Sequence, residues 1–322
     1  MKTKSNQPGT KKSSDKAQKL KSDYQKGLLA IEQNRSELTA RFPNIITMAI
    51  GVMADAKNNA VCVDIFICEG DISKIPKRLK VSYGKNKTGY IRTEVIDNKL
   101  QGKSHAIQIG SGTAIFNKRT PGLFGTVGCN LKNQNGITKY FITCNHVLNG
   151  DNFYDTFQKG DIIQIKKSGI KSDIGKWHFG KMNEQLDLAV CEYLSNPATT
   201  ISKEAFVYEG LDKDPAMMLS MAVKVNGKNR AIYHGYIVNP VIDFEIKYAN
   251  KNVILKNVIL VSASLAPINY KSLTEGGDSG ALVLTESGDS IIGIVVGGDS
   301  KFTCIIPFNK IITELHKLSL SL

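Results

Sequence analysis

Gly276-Gly277-Asp278-Ser279-Gly280, continued directly by Ala281-Leu282-Val283-Leu284, is the stretch on which the fold of this chain turns. Glycine reaches backbone angles closed to other residues, so three glycines around Asp-Ser predict a tight turn, and the apolar run after it predicts a strand. A serine presented from such a turn has the N–H groups of Gly277 and Ser279 beside it, able to converge on one oxyanion site. A hydroxyl is a weak nucleophile at neutral pH. It needs a base to take its proton and a third group to hold that base.

Both are found upstream. His146 follows the apolar strand Tyr140-Phe141-Ile142-Thr143 and sits in Asn145-His146-Val147-Leu148, and Asp187 opens the strand Leu186-Asp187-Leu188-Ala189-Val190. The order His, Asp, Ser separates this chain from hydrolases in which Asp or Ser comes first. Spacings of 41 residues from His146 to Asp187 and 92 from Asp187 to Ser279 suit a cleft between two β-barrels. The expectation is Ser279 as nucleophile, His146 as general base and Asp187 orienting the histidine.

The surrounding pattern agrees. From about residue 106 short strands recur every 8 to 12 residues, punctuated by Asn135-Gly136, Gly150-Asp151, Gly169, Asn226-Gly227 and Ser287-Gly288-Asp289, which argues an all-β barrel or sandwich. Ile311, Ile312, Leu315 and Leu318 lie at helical spacing and predict a terminal helix from Phe308. At the other end a helix is expected over 17–42, ended by Pro43, then a hairpin over 45–53 and 59–68 and a strand near 88–96 after Pro76. Gln101-Gly102-Lys103-Ser104 reads as the connection between this leading α+β unit and the barrels. The expected division is a basic flexible tail over 1–26, a small α+β domain over 27–103, barrels over about 104–196 and 197–307, and a terminal helix over 308–321.

Thr143-Cys144-Asn145-His146, Leu186-Asp187-Leu188-Ala189 and Gly277-Asp278-Ser279-Gly280 resemble the three signature blocks of chymotrypsin/trypsin-like serine peptidases. The chain is most similar to the bacterial trypsin-like proteases related to the plant narrow-leaf proteins, whose histidine block reads S-N-N-H-V-L and whose serine block reads G-G-D-S-G. The resemblance spans roughly residues 45–310, including Ile75-Pro76-Lys77, Gly122 to Gly128 and Val223 to Val238; Thr143-Cys144 stands where Ser-Asn is usual. It implies a mainly β, chymotrypsin-like double barrel and hydrolysis of protein or peptide substrates through an acyl-enzyme, with no cofactor and no metal. It also implies a specificity pocket with Leu273 at its floor and Val296-Gly297-Gly298 as its wall. Leu273 is not an acid, so apolar side chains are expected before the scissile bond. The rival is His234 lining that pocket and favouring Gln or Glu.

Composition bounds the alternatives. The formal charge of +13 is uneven: residues 1–26 carry eight lysines against Asp15 and Asp23, a net +6, and the rest of the chain carries +7. No aromatic-studded basic stripe accompanies it, so a specific nucleic-acid partner is not expected. No run reaches the ~18 apolar residues of a membrane-spanning helix and no apolar signal region opens the sequence, so the expectation is a cytoplasmic protein without a membrane span. Cys62, Cys68, Cys129, Cys144, Cys191 and Cys304 lack metal-ligand spacing and read mostly as buried thiols; Cys129 and Cys144 could lie on adjacent strands, and no structural disulfide is expected. His105, His178 and His316 read as non-catalytic. The leading domain is a place for a regulatory partner. The competing functional reading is a catalytically silent binding or scaffold module on the same fold.

Overall fold

The computed structural model describes residues 10–55, 58–67, 72–83, 87–97, 101–104, 112–153, 159–167, 170–195, 206–228 and 231–322. The chain divides into two compact units, one of Met1–Lys99 with Ala216–Leu219, the other of Leu100–Pro215 with Ser220–Leu322.

In the first unit the helix α1 (Thr10–Arg41) accompanies a four-stranded sheet of β1 (Ile45–Asp55), β2 (Asn58–Ile67), β3 (Arg78–Tyr83) and β4 (Lys87–Asp97), ordered β1-β2-β4-β3. Tyr24, Ala30, Ile31 and Leu38 of α1 are buried with Ile50, Val63, Ile65, Leu79 and Val81 in one apolar cluster. Gly27 lets the helix approach, since a Cβ there would lie 2.5 Å from Ile50 Cδ1. The outer edge of β3 is satisfied by helix side chains. Gln33 Nε2 donates to Ser82 O and Ser82 N–H donates to Gln33 Oε1, both at 2.8 Å, and Asn34 Nδ2 donates to Lys80 O at 2.9 Å. These bonds occupy backbone groups that an exposed edge would offer to another strand.

The second unit holds two β-barrels. The first holds β6 (Gly112–Asn117), β7 (Asn130–Lys132), β8 (Thr138–Thr143), β9 (Ile162–Lys167), β10 (Ile170–Asn183) and β11 (Leu186–Tyr193) in the order β6-β9-β10-β11-β8-β7. Residues 124–129 close the ring: Ile115 and Gly125 exchange two backbone bonds of 2.9 Å, Gly128 N–H donates to Ile142 O at 2.8 Å and Ile142 N–H to Cys129 O at 3.0 Å. The second barrel runs β17 (Ser290–Gly298), β16 (Leu282–Thr285), β13 (Ala222–Asn226), β14 (Ile232–Lys247), β15 (Asn252–Ser262) and β18 (Thr303–Pro307), and pairing of β17 with β18 closes it. Helix α4 (Phe308–Lys317) follows Pro307 and buries Phe308, Ile311 and Leu315 on one stripe.

Four sequence expectations are corrected. The helix begins at Thr10, not 17, so residues 10–26 of the expected flexible tail are helical, and Tyr24 is buried. Lysine, glutamine, alanine and leucine are good helix formers, so a high positive charge did not forbid a helix. Residues 1–9 lie outside the described residues. Gln101–Ser104, read as a connection, is strand β5, which pairs with β14 and β17 through its backbone and needs no apolar alternation to do so. Strand β3 was not expected, although its exposed–buried alternation over Arg78–Tyr83 carries the period-two signal. Ala216 and Leu219, placed in the second barrel by sequence, are buried in the apolar cluster of the first unit.

Candidate active site

The apolar strand β8 ends at Thr143 and the chain turns into α2 (Asn145–Leu148), a single helical turn whose four residues are all buried. This carries His146 to the side chain of Asp187 on β11. Asp187 Oδ1 accepts the His146 backbone N–H at 3.1 Å, and Oδ2 lies 2.6 Å from His146 Nδ1. An ionised carboxylate only accepts, so Nδ1 carries the proton and Nε2 is left as the basic nitrogen. Among the described residues Nε2 has no hydrogen-bond partner. Both side chains are fully buried. Burial pulls the imidazole pKa down, but the Asp187 charge and hydrogen bond outweigh it and hold the group above the ordinary histidine value.

Asp187 has a further donor that no sequence motif announced. Tyr248, just past β14, donates its hydroxyl to Oδ2 at 3.0 Å, and its ring meets the His146 ring edge-on at 5.7 Å. Burial, then the Asp187 charge, pushes the phenol pKa well up, so the hydroxyl keeps its proton and remains a donor. Its distance in sequence, 61 residues from Asp187, is why it escapes a motif.

Ser279 sits in the expected glycine turn. Asp278 N–H donates to Glu275 O at 3.2 Å, and Gly277 at φ +93° takes the left-handed position that L side chains rarely adopt. Thr126, from the segment closing the first barrel, stitches this turn to the histidine side: its N–H donates to Ser279 O at 2.8 Å, its hydroxyl to Gly277 O at 2.7 Å, and its carbonyl accepts Thr143 Oγ1 at 2.9 Å. Asp278 O accepts Ala281 N–H at 2.8 Å. The carbonyl and N–H of one trans peptide point in opposite directions, so holding Asp278 O aims the Ser279 N–H the other way. Among the described residues neither the Gly277 nor the Ser279 amide has a protein acceptor. The serine hydroxyl is turned aside and donates to Val296 O at 3.3 Å. Val296 lies where the β17–β18 register shifts between Val295 and Gly297.

Charged groups border the turn. Asp278 is buried and accepts the N–H of Lys228 at 2.8 Å and of Glu275 at 2.9 Å. Lys228 Nζ reaches Gly276 O at 2.5 Å and Glu275 Oε1 at 3.4 Å.

The residues expected to form the specificity pocket divide into two groups. Val296, Leu273 and the β17 residues Gly297 and Gly298 are buried, and Leu273 rests on Gly235, where a Cβ would come within 2.7 Å of its methyl carbons. Around Leu273 lies a hydroxyl cluster not foreseen from sequence: Thr303 Oγ1 is 2.9 Å from both Ser272 Oγ and Thr274 Oγ1 and accepts the Leu273 N–H at 3.0 Å. His234 goes elsewhere. Successive strand residues alternate faces, so while Gly235 packs under Leu273, His234 is exposed and bonds Glu286 at 2.8 Å. His105 lies outside the described residues, the His178 ring lies tilted against Tyr140 with centroids 5.1 Å apart, and His316 is exposed.

Cys144 Sγ, a His146 ring nitrogen and an Asp187 oxygen lie within 4.8 Å of one another, the one grouping of metal-ligand type among the described residues. Its donor chemistry suits a metal poorly. Burial pushes the Cys144 thiol well up, it donates to Val295 O at 3.2 Å, and Asp187 is already committed to His146 and Tyr248. Cys62, Cys129, Cys191 and Cys304 are thiols outside any disulfide, Cys68 lies outside the described residues, and no described helix is long and apolar enough to cross a membrane.

No protein-family model and no curated protein matches the chain. Among solved structures, the inactive form of Rv3671c from M. tuberculosis H37Rv matches with 14% identity and a TM-score of 0.41 over 64% of this chain and 85% of that one. Chymotrypsin of Cellulomonas bogoriensis matches with 17% identity and a TM-score of 0.40 over 67% and 98%. Deg5 matches with 15% identity and a TM-score of 0.38 over 63% and 86%. These likenesses are weak, and what the site can do rests on its own geometry.

Proposed function

We propose that the protein is a serine endopeptidase in which Ser279 attacks the scissile carbonyl, His146 takes its proton through Nε2, Asp187 holds the imidazole, and the Gly277 and Ser279 amides receive the oxyanion. The observation that carries this reading is the 2.6 Å contact of His146 Nδ1 with Asp187, which fixes the tautomer and leaves Nε2 free. The free amides of the glycine turn support it. Within this reading the chain is akin to the bacterial trypsin-like proteases related to the plant narrow-leaf proteins, residues 104–322 form the peptidase domain, and the preceding domain is the place for a regulatory partner.

The mechanism requires the Ser279 hydroxyl to leave Val296 O and meet His146 Nε2. Rotation of the Ser279 side chain from Val296 O toward His146 Nε2 exchanges one hydrogen bond for another and gives the hydroxyl its base; catalytic hydrogen bonds commonly tighten only when substrate is bound. Proton transfer to Nε2 then creates an imidazolium beside the buried Asp187 charge, and the oxyanion of the tetrahedral intermediate meets the two amides. Collapse expels the amine, protonated by the same Nε2, and water repeats the sequence on the acyl-enzyme.

The averted hydroxyl favours a second reading, a catalytically silent module on this fold. Labelling with a fluorophosphonate separates them. Covalent modification of the full chain, absent in Ser279→Ala, is the result expected for a peptidase; an unlabelled wild-type chain overturns it in favour of the silent module.

A further inference from the structure

We infer that Lys228 is a positioning residue that sets the peptide plane of the oxyanion turn, so that the turn is formed by groups internal to the uncut chain. This deepens the peptidase reading and rests on it. The argument begins with the trans peptide between Gly276 and Gly277, whose C=O and N–H point in opposite directions. Whatever holds the Gly276 carbonyl therefore aims the Gly277 N–H. Glycine on both sides removes the steric barriers that would otherwise favour one orientation, so the plane is free to turn over unless it is tied.

Lys228 ties it at several points. Its ammonium donates to Gly276 O at 2.5 Å, its backbone N–H donates to Asp278 Oδ1 at 2.8 Å, and its Nζ lies 3.4 Å from Glu275 Oε1. Its stem runs under the turn, where a Cβ on Gly277 would meet Lys228 Cδ at 3.0 Å. Asp278 closes the arrangement by accepting the Glu275 N–H at 2.9 Å. The buried carboxylate is thus held by two backbone amides, and burial raises its pKa despite those bonds and the nearby Lys228 charge. A cation on Gly276 O also polarises the amide toward its N–H, which makes Gly277 the better donor to a developing negative charge.

The corresponding plane at Ser279 is held by a backbone bond, Ala281 N–H to Asp278 O at 2.8 Å. Of the two oxyanion donors, only Gly277 therefore depends on a side chain for its direction. Every group used belongs to the continuous chain, so no cleavage is required to assemble the site.

The test is Lys228→Met, which keeps the stem and removes the donor, beside Lys228→Arg, which keeps a cation. Loss of one oxyanion donor costs about 100-fold to 1,000-fold in kcat. An untied plane that still samples the productive orientation is expected to cost about 10-fold to 100-fold in kcat for Lys228→Met, with KM and thermal midpoint nearly unchanged and most of the rate restored in Lys228→Arg. A crystal structure of Lys228→Met is expected to show the Gly276–Gly277 plane turned over or in two orientations, a readout independent of turnover. Wild-type kcat in Lys228→Met, equal losses in both variants with a lowered midpoint, an unmoved plane, or turnover only after the chain is cut would each overturn the inference. A wild-type chain that resists the fluorophosphonate instead defeats the peptidase reading, and the crystal structure still decides the role of Lys228.

Discussion

The two halves of the site are built by different means. On the histidine side, side chains meet side chains: His146, Asp187 and Tyr248 are buried, bonded to one another and ready without any movement. On the serine side the backbone does the positioning, through glycines, carbonyls held by Thr126, Ala281 and Lys228, and two open amides, while the Ser279 hydroxyl points to Val296 O. In the proposed peptidase the contrast follows from what each half must do. A base must keep one tautomer throughout and is best fixed, whereas a nucleophile must swing between base and carbonyl and its oxyanion donors must stay unpaired until charge arrives.

The largest expected effect tests whether the halves act as one device. Ser279→Ala and His146→Ala are each expected to abolish hydrolysis, with losses on the order of 10⁶-fold, and the double variant is expected to lose no more than either single one. Kinetics of the three purified variants check this. Additive losses would break the comparison by showing that the fixed half works without the mobile one.

Asp187→Asn attacks the fixed half alone. The expected loss is about 10⁴-fold in kcat, because the amide can hold the imidazole in the unproductive tautomer. The pH profile sharpens it. In the wild type the base must be neutral, and its pKa is raised, so activity is low below that value and its acid limb lies above the ordinary ~6.5. The sign for stability is opposite. The charged His146–Asp187 pair contributes fully below the unfolded pKa of about 6.5 and is lost as pH rises through the raised folded value. Over that window wild-type activity should rise while this contribution to stability falls; in Asp187→Asn, where burial is no longer opposed by the Asp187 charge, the acid limb should move to lower pH and the stability trend should reverse, rising with pH.

The same contrast explains what the sequence made legible. Ser279, Gly277 and Gly280 are neighbours, so a motif records them together, and the order of the histidine and aspartate blocks pointed to a pairing that is seen as a 2.6 Å contact. Tyr248, Thr126 and Lys228 act from other strands and loops, and nothing in their local sequence says which turn or carboxylate they will reach. The strand β5 reads as a connection for a related reason: it is held by backbone bonds, which leave no side-chain pattern. His234 reads as a pocket residue from sequence because its neighbours read as a strand. Which of the two faces each residue takes depends on register, and register was not visible until Gly235 was seen beneath Leu273.

Tyr248→Phe is a milder test of the fixed half. The ring and its contact with Phe153 remain, while Asp187 Oδ2 loses one of its donors. With less of its charge neutralised by the phenol, the carboxylate stabilises the imidazolium more, so the acid limb is expected to move up by under about one pH unit, in keeping with a hydrogen bond to a charged group. Above the limb, kcat is expected to stay within about ten-fold of wild type. A limb that moves down would mean that Tyr248 supports the neutral histidine by some route other than Asp187.

The smallest expected effect belongs to His234→Ala, and it separates residues that serve the site from one that sequence alone brought near it. His234 lies on β14, where exposed and buried positions alternate around it, and its imidazole is exposed and bonded to Glu286. The buried neighbour Gly235 is the one that meets Leu273. Surface ion pairs contribute about 0 to 1 kcal/mol, and this one is charged only when the histidine is protonated, so the thermal midpoint should hardly change. A cleavage profile over a peptide library should be the same for variant and wild type. The profile is expected to favour apolar side chains before the scissile bond, given Leu273, although the hydroxyls of Ser272, Thr274 and Thr303 around it already bond one another and leave little donor capacity for a polar side chain. A wild-type preference for Gln or Glu that disappears in His234→Ala would place the histidine in the pocket after all and would require a different register for β14.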